Sequence, residues 1–435
     1  MKVNIDKLSL NFNNEVTISG FVDTIRDLQY VQFLVIRDNT GKVQATIEKN
    51  DENKELNEIV STLTNESTVY ITGIIYENEK VKLNKMELFP SNIDITSLSD
   101  ENIPYVFKNP QSADRETRLD YRFLDLRLEK NRTTFQISSF LEHSMREYFV
   151  NNDYIGINSP KISGESSEGG SEVFKLDYFG TPACLVQSPQ LYKQMAISSG
   201  FNRVFEMGTV FRAENSHTSY HSTEIFMIDA EISNINSHVD IMDELENMLK
   251  YSLTKVKDKY KDKLKEMFKS EINIENPFLR ISFDDAKIIL KEKMNYVGEN
   301  PEDFERKEED LLCKYAKDKH KTDFVFVDKY PYSVRPFYTK KDGNNKTLSF
   351  DLLFKGIEIT SGAQREHKYD VLINQISEKG INPKTMTSYT DYFKYGIFPH
   401  GGFGFGFNRL IMKLLNFDNI REATFIYRGP TRIRP

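Results

Sequence analysis

Five short segments between residues 15 and 92 constrain the fold of this chain more than any other part of its sequence. Their β-branched and aromatic residues roughly alternate with polar ones, a period typical of half-buried strands. Turn-forming residues such as Asn39-Thr40-Gly41 separate them. In chain order the segments are VTISGFVDTI, VQFLVIRD, KVQATIEK, STVYITGII and KVKLNKMEL. Five strands in so short a stretch predict a small closed barrel.

A barrel of this size is typical of the OB fold, which commonly holds single-stranded nucleic acid on an open face. Arg26, Phe33 and Gln44 are the candidates for that face, because basic and aromatic groups bind the backbone and the bases. A place in the barrel core is an equally good explanation for Phe33 from composition alone. The net charge of −7 argues against non-specific coating of nucleic acid but leaves room for a local binding surface.

The rest of the chain predicts a second domain. We expect the barrel domain to cover residues 1–100, a polar hinge residues 101–130, and an α+β domain residues 131–435. A length of 435 residues is in any case too great for one ordinary core. One helix is predicted near 237–266, where Ser237 with Asp240 resembles a capping box before a helical apolar period.

Composition excludes several classes of protein. The sequence has no run of 18 apolar residues, and its first residues lack the apolar core of a signal peptide. Cys184 and Cys313 are too few for a disulfide framework or a four-thiolate zinc site. We therefore expect a cytoplasmic protein with no membrane partner.

The first candidate for chemistry is a predicted β-hairpin, RVFEMGTVFRAE and EIFMIDAEIS around a polar loop. Arg212 and Glu214 are two apart on the predicted strand and should share a face. Arginine binds phosphate bidentately, and a carboxylate beside it can accept a hydrogen bond from an exocyclic amine. A surface ion pair is the alternative explanation. His217, His221 and Glu224 superficially suggest zinc, but the helical spacing of zinc motifs is absent.

A second candidate lies in TLSFDLLFKGIEITSGAQREH. Asp351 and Glu358, with Ser361 close behind, offer the hard oxygen ligands that suit Mg²⁺ carrying substrate phosphates. Arg365 follows a Ser-Gly turn, where a cation could bind a carboxylate. Each of these residues could also be an ordinary polar surface residue.

Two further candidates complete the pattern. In PHGGFGFGFNRLIMKLL, glycines that include Gly404 and Gly406 run into a predicted helix that carries Arg409. Glycine lets backbone approach a phosphate, and a helix N-terminus favours anions. In CLVQSPQLYKQM, Pro189 opens a predicted helix with Lys193 on its first turns. Such a lysine is usually solvated, so this signal is modest by itself.

Together these segments resemble the class II aminoacyl-tRNA synthetases, and specifically the compact archaeal and eukaryotic type of aspartyl-tRNA synthetase. The first class motif matches DYIGINSP (153–160), the second FRAE with its loop, and the third GFGFGFNR. The segments QSPQLYKQ and SGAQREH are characteristic of the aspartyl branch. The resemblance covers essentially the whole chain. It implies an anticodon-binding OB barrel, a hinge, and an antiparallel sheet flanked by helices, assembled as a homodimer.

The implied reaction activates L-aspartate with ATP and Mg²⁺ to aspartyl-adenylate and then charges tRNA. The residues implied to be catalytic are Lys193, Arg212 and Arg409. Those implied to bind ATP are Arg212, Glu214, His221, Phe226, Glu358, Gly404, Gly406 and Arg409. Those implied to bind aspartate are Glu168, Gln190, Lys193, Asp229, Ser361 and Arg365. Those implied to bind Mg²⁺ are Asp351, Glu358 and Ser361. Those implied to read the anticodon are Arg26, Phe33 and Gln44.

Several positions depart from the family pattern. Phe21 stands where a tryptophan is expected in the first barrel strand, and Tyr220 stands where the second motif often has a basic residue. Asn408 replaces an acidic residue in the third motif, and Tyr427 and Gly429 depart from the usual C-terminal segment. These departures keep open a paralogue that activates an amino acid without charging tRNA.

Two further classes of protein fit the site residues less well. Asparaginyl-tRNA synthetase is the nearer of them, but Lys193 and Arg365 would be two cations around a neutral amide. A non-catalytic RNA-binding or scaffold protein would be expected to have lost the candidate residues, and this chain has kept them. Whether tRNA(Asn) is charged as well as tRNA(Asp) stays open, since Asp23 and Lys80 at the matching barrel positions do not decide it.

Overall fold

The computed structural model describes residues 2–104, 113–164, 172–343 and 345–434. The chain divides into two compact units, Met1–Thr117 and Arg118–Pro435. Part of the predicted hinge is helical, since residues 115–120 and 122–125 form two short helices. Within the described ranges, no helix combines the length and the apolar character needed to cross a membrane.

In the described part of the N-terminal unit, five strands close into a barrel in the order β1-β2-β3-β5-β4. Alternate residues point inward, as Leu34 and Val43 do with complete burial. The strand pattern in the sequence therefore predicted this barrel correctly. A helix between β3 and β4 was not predicted, although Leu56, Ile59, Val60 and Leu63 recur at helical spacing and pack in or against the barrel core. The elements are β1 (Glu15–Asp27), β2 (Val31–Arg37), β3 (Lys42–Glu48), α1 (Lys54–Thr62), β4 (Thr68–Glu77) and β5 (Met86–Ser97).

In the described part of the C-terminal unit, eight strands form a sheet in the order β12-β13-β14-β15-β16-β11-β10-β6, and three others form a small sheet, β7-β9-β8. The strands are β6 (Ile155–Gly156), β7 (Ile162–Ser163), β8 (Lys175–Tyr178), β9 (Thr181–Leu185), β10 (Arg203–Phe211), β11 (Glu224–Ser233), β12 (Leu279–Ser282), β13 (Phe324–Asp328), β14 (Ser349–Phe354), β15 (Ile357–Gln364) and β16 (His400–Gly406). The central pairs are antiparallel, as expected, but the pairs β6–β10 and β12–β13 at the two edges are parallel.

Helices flank this sheet, which confirms the predicted α+β class. The helices that follow the barrel in the described chain are α2 (Arg115–Asp120), α3 (Arg122–Asp125), α4 (Glu129–Asn151), α5 (Gln190–Ser198), α6 (His238–Asp262), α7 (Phe283–Lys293), α8 (Arg306–Tyr315), α9 (Tyr369–Glu378), α10 (Thr387–Lys394) and α11 (Phe407–Leu414). Short 3₁₀ or π helices lie at Ile5–Asn11, Lys263–Met267, Ala316–His320, Tyr332–Val334 and Pro383–Met386. The predicted capping box is present at the start of α6, where Ser237 Oγ accepts from the Val239 N–H and the Asp240 carboxylate accepts from the Ser237 N–H.

Side-chain alternation along β11 separates the core from the site. Ile228 and Ala230 pack with Leu141 of α4 and Leu249 of α6 in the largest apolar cluster. The odd-numbered residues point the other way. The two long helices therefore fill one face of the sheet and leave the opposite face for ligands.

Candidate active site

A cavity of about 430 Å³ opens on the sheet face that Met227 and Asp229 occupy. Its size suits a small-molecule ligand. The predicted site residues that line it are Gln190, Arg212, Glu214, His221, Asp229, Glu358, Ser361, Arg365, Gly404, Gly406 and Arg409. Lys193, Phe226 and Asp351 also belong to the described chain but do not line it. The fold thus gathers side chains from four separate sequence segments.

The β10–β11 hairpin supplies the first group. Arg212 and Glu214 follow the last residue of β10, so the strand predicted for them ends too early to include either. The Arg212 backbone N–H still donates to the Thr223 carbonyl at 3.0 Å. Arg212 Nη1 lies 3.7 Å from Glu214 Oε1, and His221 Nε2 lies 3.9 Å from Glu214 Oε2. Burial, and then the charge of Arg409, lower the pKa of His221, so its imidazole is neutral at pH 7.

The glycine-rich segment forms a strand, β16, which runs directly into the predicted helix. Gly404 of β16 pairs with Asp229 of β11 and with Ser361 of β15. A Cβ at Gly404 would lie 3.0 Å from the Met227 side chain and 3.3 Å from Asp229 Oδ1. Any larger residue there would crowd the cavity floor, so glycine keeps the floor open.

Arg409 lies on the first turn of α11 directly after this strand. Its Nη1 donates to the Glu358 carbonyl at 3.1 Å and lies 3.7 Å from Glu358 Oε2. Burial and the nearby Asp351 raise the pKa of Glu358. Asn408 turns its amide to the Ala423 carbonyl at 3.0 Å, so it ties α11 to the C-terminal segment.

Lys193 lies behind the cavity wall. Its side chain is completely buried, and its Nζ donates to Asp229 Oδ1 at 2.8 Å and to the Phe403 carbonyl at 3.1 Å. Glu231 Oε2 is 3.6 Å from the same nitrogen. Two carboxylates therefore neutralise Lys193. In this arrangement Lys193 orients Asp229 and does not line the cavity, whereas the sequence led us to expect a direct contact with the bound aspartate.

Arg365 is the buried cation that does line the cavity. Its Nε and Nη2 donate to the two oxygens of Glu231 at 2.9 and 3.2 Å, and Nη2 also donates to Gln190 Oε1 at 3.1 Å. Among the described residues, Gln190 Nε2 and Asp229 Oδ2 are buried without a hydrogen-bond partner. An unsatisfied buried donor and acceptor are costly, so a ligand that completes both would bind favourably.

The buried charges beside the cavity have opposite pKa shifts. Burial raises the pKa of Asp229, even though Lys193 opposes this change. Burial acts in the same direction on Glu231, but Arg365 and then Lys193 outweigh it and hold the pKa of Glu231 below its ordinary value. Glu231 therefore stays ionised and fixes both cations.

Glu231 and the polar residues His400 and Gln194 were not predicted from the sequence. Glu231 is two residues after Asp229 and so shares its face of β11. His400 Nδ1 lies 2.8 Å from the Phe398 carbonyl, which makes this nitrogen the donor. Its Nε2 then accepts from the Gln194 amide at 2.9 Å. Burial lowers the pKa of His400 to about 4, so the ring is neutral and serves as a fixed support.

The predicted magnesium ligands are only partly exposed to the cavity. Glu358 and Ser361 line it, whereas Asp351 is covered by a residue that the sequence did not single out. Arg335 Nη1 and Nη2 donate to the two Asp351 oxygens at 2.9 and 2.7 Å, and Nη1 also donates to Ser361 Oγ at 3.0 Å. In the described parts of the chain, no three His, Cys, Asp or Glu side chains are grouped to hold a metal unaided.

Phe226 lies on the wrong face of β11 for the predicted ATP contact. Its ring packs edge-on against Phe407 at 5.6 Å and borders the apolar core. Ile225, the neighbouring residue, lines the cavity instead. The prediction for Phe226 was wrong because side chains alternate along a strand, so that a shift of one residue exchanges the two faces. Glu168, the other predicted contact not yet placed, is outside the described residues.

The barrel carries its candidate residues on adjacent strands. Arg26 of β1 pairs with Phe33 of β2, and Phe33 pairs with Thr46 of β3. Their inward neighbours form the barrel core, so Phe33 and Gln44 face outward. Gln44 donates to the Glu87 carboxylate at 3.3 Å, and Thr46 donates to the same oxygen. Glu87 is thus a buried carboxylate beneath this surface that holds Gln44 in place and that the sequence did not reveal.

A stability prediction follows from Glu309 of α8. Burial and the nearby Glu358 raise its pKa from 4.5 to about 7, and Arg306 pairs with it at 3.0 Å. The folded chain keeps this proton up to about pH 7 whereas the unfolded chain releases it near 4.5, so stability falls as pH rises between these values. Glu309→Gln should reduce the loss of unfolding free energy between pH 5 and pH 8 by about 2 kcal/mol. Urea unfolding of the wild type and the variant at both pH values measures this difference. An equal pH dependence of the unfolding free energy in the two proteins would contradict the prediction.

The fold and the grouped site residues define the class of this protein. Residues 114–427 match the family described as tRNA synthetases class II (D, K and N), and residues 16–95 match the OB-fold nucleic acid binding domain. The chain is therefore a class II aminoacyl-tRNA synthetase, a ligase of protein biosynthesis that uses ATP.

Similar proteins from other organisms indicate which family within this class the chain belongs to. The aspartate–tRNA(Asp/Asn) ligase of Methanopyrus kandleri is 38% identical over 424 residues, which cover 97% of this chain and 96% of that protein. The aspartate–tRNA(Asp) ligase of Pyrococcus furiosus is 38% identical over 439 residues, which cover 98% of this chain and 100% of that protein. Within the class, this chain belongs to the family of aspartate–tRNA ligases.

Solved structures show how widely the fold is shared. The asparaginyl-tRNA synthetase of Pyrococcus horikoshii complexed with asparaginyl-adenylate has a TM-score of 0.93 and 33% identity over 100% of both chains. The aspartyl tRNA synthetase of Entamoeba histolytica has a TM-score of 0.90 and 31% identity over 100% of this chain and 93% of that one. Synthetases for both amino acids share this backbone, so the cavity side chains must distinguish between the two substrates.

Proposed function

We propose that this chain joins L-aspartate to ATP, giving aspartyl-adenylate and pyrophosphate, and then transfers the aspartyl group to tRNA(Asp). The observation that carries the proposal is the buried Arg365, which lines the cavity beside the unpaired donor of Gln190 and the unpaired acceptor of Asp229. A ligand with a carboxylate and an ammonium group would satisfy all three. We expect the reaction to take place in the cytoplasm, as the cysteine content predicted.

The same arrangement favours aspartate over asparagine. The carboxylate of aspartate can accept hydrogen bonds from Arg365 and from Gln190 Nε2 through either oxygen. The amide nitrogen of asparagine would instead turn a donor towards these donors, which a buried site penalises. Glu231 and Lys193 support the choice indirectly, because they fix the orientation of Arg365 and Asp229.

We propose that Arg212 acts on the reacting phosphate. An oxygen of the aspartate α-carboxylate attacks the α-phosphorus, and the bond to the β-phosphate oxygen breaks as pyrophosphate leaves. The guanidinium group of Arg212 would stabilise the charge that develops on the α-phosphate. Because attack by a carboxylate needs no proton removed, positioning and electrostatics suffice and no general base is required.

The remaining parts of ATP have suitable partners on the same wall. The Glu214 carboxylate can accept a hydrogen bond from the adenine amino group. His221 and Arg409 would bind the outer phosphates. Among the described residues, only the Glu358 carbonyl accepts a hydrogen bond from the Arg409 side chain, so its other N–H groups are available to a phosphate. A bound triphosphate would favour protonation of His221, whose pKa is low without it.

The site fits a magnesium ion that arrives with its nucleotide. Glu358 and Ser361 present oxygen atoms to the cavity, and Mg²⁺ usually binds one or two carboxylates together with substrate phosphates. When bound, the ion would neutralise charge on the phosphates. These residues would anchor it from the protein side.

The barrel surface is proposed to bind the anticodon through Arg26, Phe33 and Gln44. Phe33→Ala should lower the rate of tRNA charging by about 5- to 150-fold, because stacking of one base on an aromatic ring contributes about 1–3 kcal/mol. Pyrophosphate exchange should be unchanged, since it needs no tRNA. Phe89→Ala is the matched control, because Phe89 is another surface aromatic of the barrel, 38% exposed. Equal effects of both substitutions on charging would argue against an anticodon role for Phe33.

We also propose the homodimer that the first class motif implies. Val150 at the end of α4 and Ile155 of β6 are 59% and 47% exposed, and β6 ends the eight-stranded sheet. Apolar side chains at an open sheet edge commonly pack against a partner. Size-exclusion chromatography with light scattering should give twice the 50.7 kDa mass of the chain, and a monomer would contradict this proposal.

The deciding experiment charges purified tRNA(Asp) and tRNA(Asn) with labelled L-aspartate, ATP and Mg²⁺. Product on tRNA(Asp) alone would establish a discriminating enzyme, and product on both would establish a relaxed one. Charging with asparagine instead would overturn the amino acid assigned here. If neither tRNA is charged while aspartate-dependent pyrophosphate exchange persists, the chain is a paralogue that only activates the amino acid.

A further inference from the structure

Arg335 has no role in the functions assigned so far, yet it lines the cavity among the residues expected to bind metal. Its backbone follows the 3₁₀ turn Tyr332–Val334, and its guanidinium group lies over the Tyr330 ring at 3.8 Å. The side chain is only 10% exposed. A buried arginine stacked on a buried ring is held in one orientation, so the fold itself fixes its contacts.

Both terminal nitrogens of Arg335 bind Asp351. The distances of 2.9 and 2.7 Å describe a bidentate pair that uses both carboxylate oxygens. Asp351 and Ser361 face each other across β14 and β15, and Arg335 Nη1 also donates to the Ser361 hydroxyl at 3.0 Å. The guanidinium group thus separates Asp351 from the cavity, which Asp351 itself does not line.

Each of the two carboxylates expected to bind the metal already has an arginine beside it. Asp351 and Glu358 bring two negative charges, and Arg335 and Arg409 bring two positive ones. A divalent ion without phosphates would meet one available carboxylate and two guanidinium groups. Mg²⁺ gives up its water reluctantly and is poorly held under such conditions. The triphosphate of ATP would supply the negative charge and the oxygen atoms that are missing.

We propose that Arg335 withholds Asp351 from divalent cations in the nucleotide-free chain, so that the metal binds only together with the triphosphate. Arg335 is thus a positioning residue that imposes an order on ligand binding. The inference rests on the proposed function for the identity of the triphosphate, but its central claim concerns metal binding without nucleotide and can be tested separately.

The test titrates Mn²⁺ into the purified chain without nucleotide and counts free Mn²⁺ by its paramagnetic resonance signal. The wild type should show no specific site at millimolar metal, and Arg335→Met should gain one. We expect the affinity to rise at least about tenfold, the effect of removing one nearby unit charge from a partly screened site. Adding Asp351→Asn to Arg335→Met should abolish the gain, because Asp351 is the ligand that the substitution releases.

Two further variants keep the result interpretable. Arg203→Met is the matched control, since Arg203 also pairs with one carboxylate, Glu244 at 3.3 Å, and lies over one tyrosine ring, Tyr154 at 5.3 Å. It should leave Mn²⁺ binding as in the wild type. Arg335→Lys, which keeps a charge but cannot form the bidentate pair, should show a smaller gain and covers the case in which the methionine variant fails to fold.

Two outcomes would overturn the proposal. One is a wild-type chain that binds Mn²⁺ without nucleotide as tightly as Arg335→Met does. The other is a folded Arg335→Met, or Arg335→Lys where the methionine variant does not fold, with no gain of metal binding. A separate titration with a non-hydrolysable ATP analogue tests the proposed function, because failure to bind metal with the analogue would count against ATP as the substrate while leaving the nucleotide-free result intact.

Discussion

Replacing Arg212 by alanine is expected to reduce aspartate-dependent pyrophosphate exchange about a thousandfold. Removal of one preorganised donor to a developing charge commonly costs 10²–10³ in rate. Arg212 lines the cavity, and no described side chain holds it closer than Glu214 at 3.7 Å, so it is available to a phosphate. The loss should appear mainly in kcat, because the interaction strengthens as the transition state forms.

The matched control for this prediction is Arg203→Ala. Arg203 begins the same strand, its side chain is 36% exposed like that of Arg212, and it too pairs with a glutamate. It lies outside the cavity and should leave exchange nearly unchanged. Light scattering should show the same oligomeric state for both variants. Near-normal exchange by Arg212→Ala would remove Arg212 from the reaction.

Replacing Arg365 by methionine is expected to raise the KM for aspartate by about a hundredfold or more, with little change in the KM for ATP. A site built to hydrogen-bond a charged group loses roughly 3 kcal/mol or more when that partner is removed. Arg365 is buried and makes its bonds to Glu231 and Gln190 on the side of the cavity where the unpaired Asp229 oxygen lies. Exchange kinetics with each substrate varied in turn would measure the difference.

Arg365→Met also leaves Glu231 with Lys193 as its remaining cation at 3.6 Å, and an unbalanced buried carboxylate destabilises a fold. The double variant Arg365→Met with Glu231→Gln removes both charges together and should restore the unfolding midpoint. If the double variant regained ordinary aspartate binding, Arg365 would act only through stability. Equal increases in both KM values would point to the same conclusion.

Two of the departures from the family pattern, Tyr427 and Gly429, are linked to each other. The Tyr427 hydroxyl donates to the His221 carbonyl at 3.1 Å, and a Cβ at Gly429 would lie 2.5 Å from that hydroxyl oxygen. Glycine at 429 is thus required by the tyrosine at 427. Tyr220, which stands where a basic residue was expected, has the guanidinium group of Arg306 4.3 Å above its ring. A cation from α8 therefore lies beside the loop whose own sequence lacks one.

The sequence predicted the fold where the signal is local. Strand alternation between residues 15 and 92 specified the barrel, because a period of two is a property of the backbone itself. Motif residues such as Arg212, His221 and Arg409 were found from short segments, and the fold brings them to one cavity. The helix α1 also has a local signal, since Leu56, Ile59 and Val60 recur at helical spacing, but it was not predicted.

Tertiary structure alone decided which charges meet. Lys193 was expected to face the substrate, but the position of α5 against β11 directs its Nζ to Asp229 and Glu231. Asp351 was expected to face a metal, but a turn that precedes β14 brings Arg335 over it. Phe226 was expected to contact ATP, but Ile225 lines the cavity instead, because a shift of one residue along a strand exchanges its two faces. Pairing between distant segments depends on how the strands align and pack, which a period of two or 3.6 residues does not encode. The residue types of this site could therefore be predicted from the sequence, whereas the partner of each buried charge could be identified only from the tertiary structure.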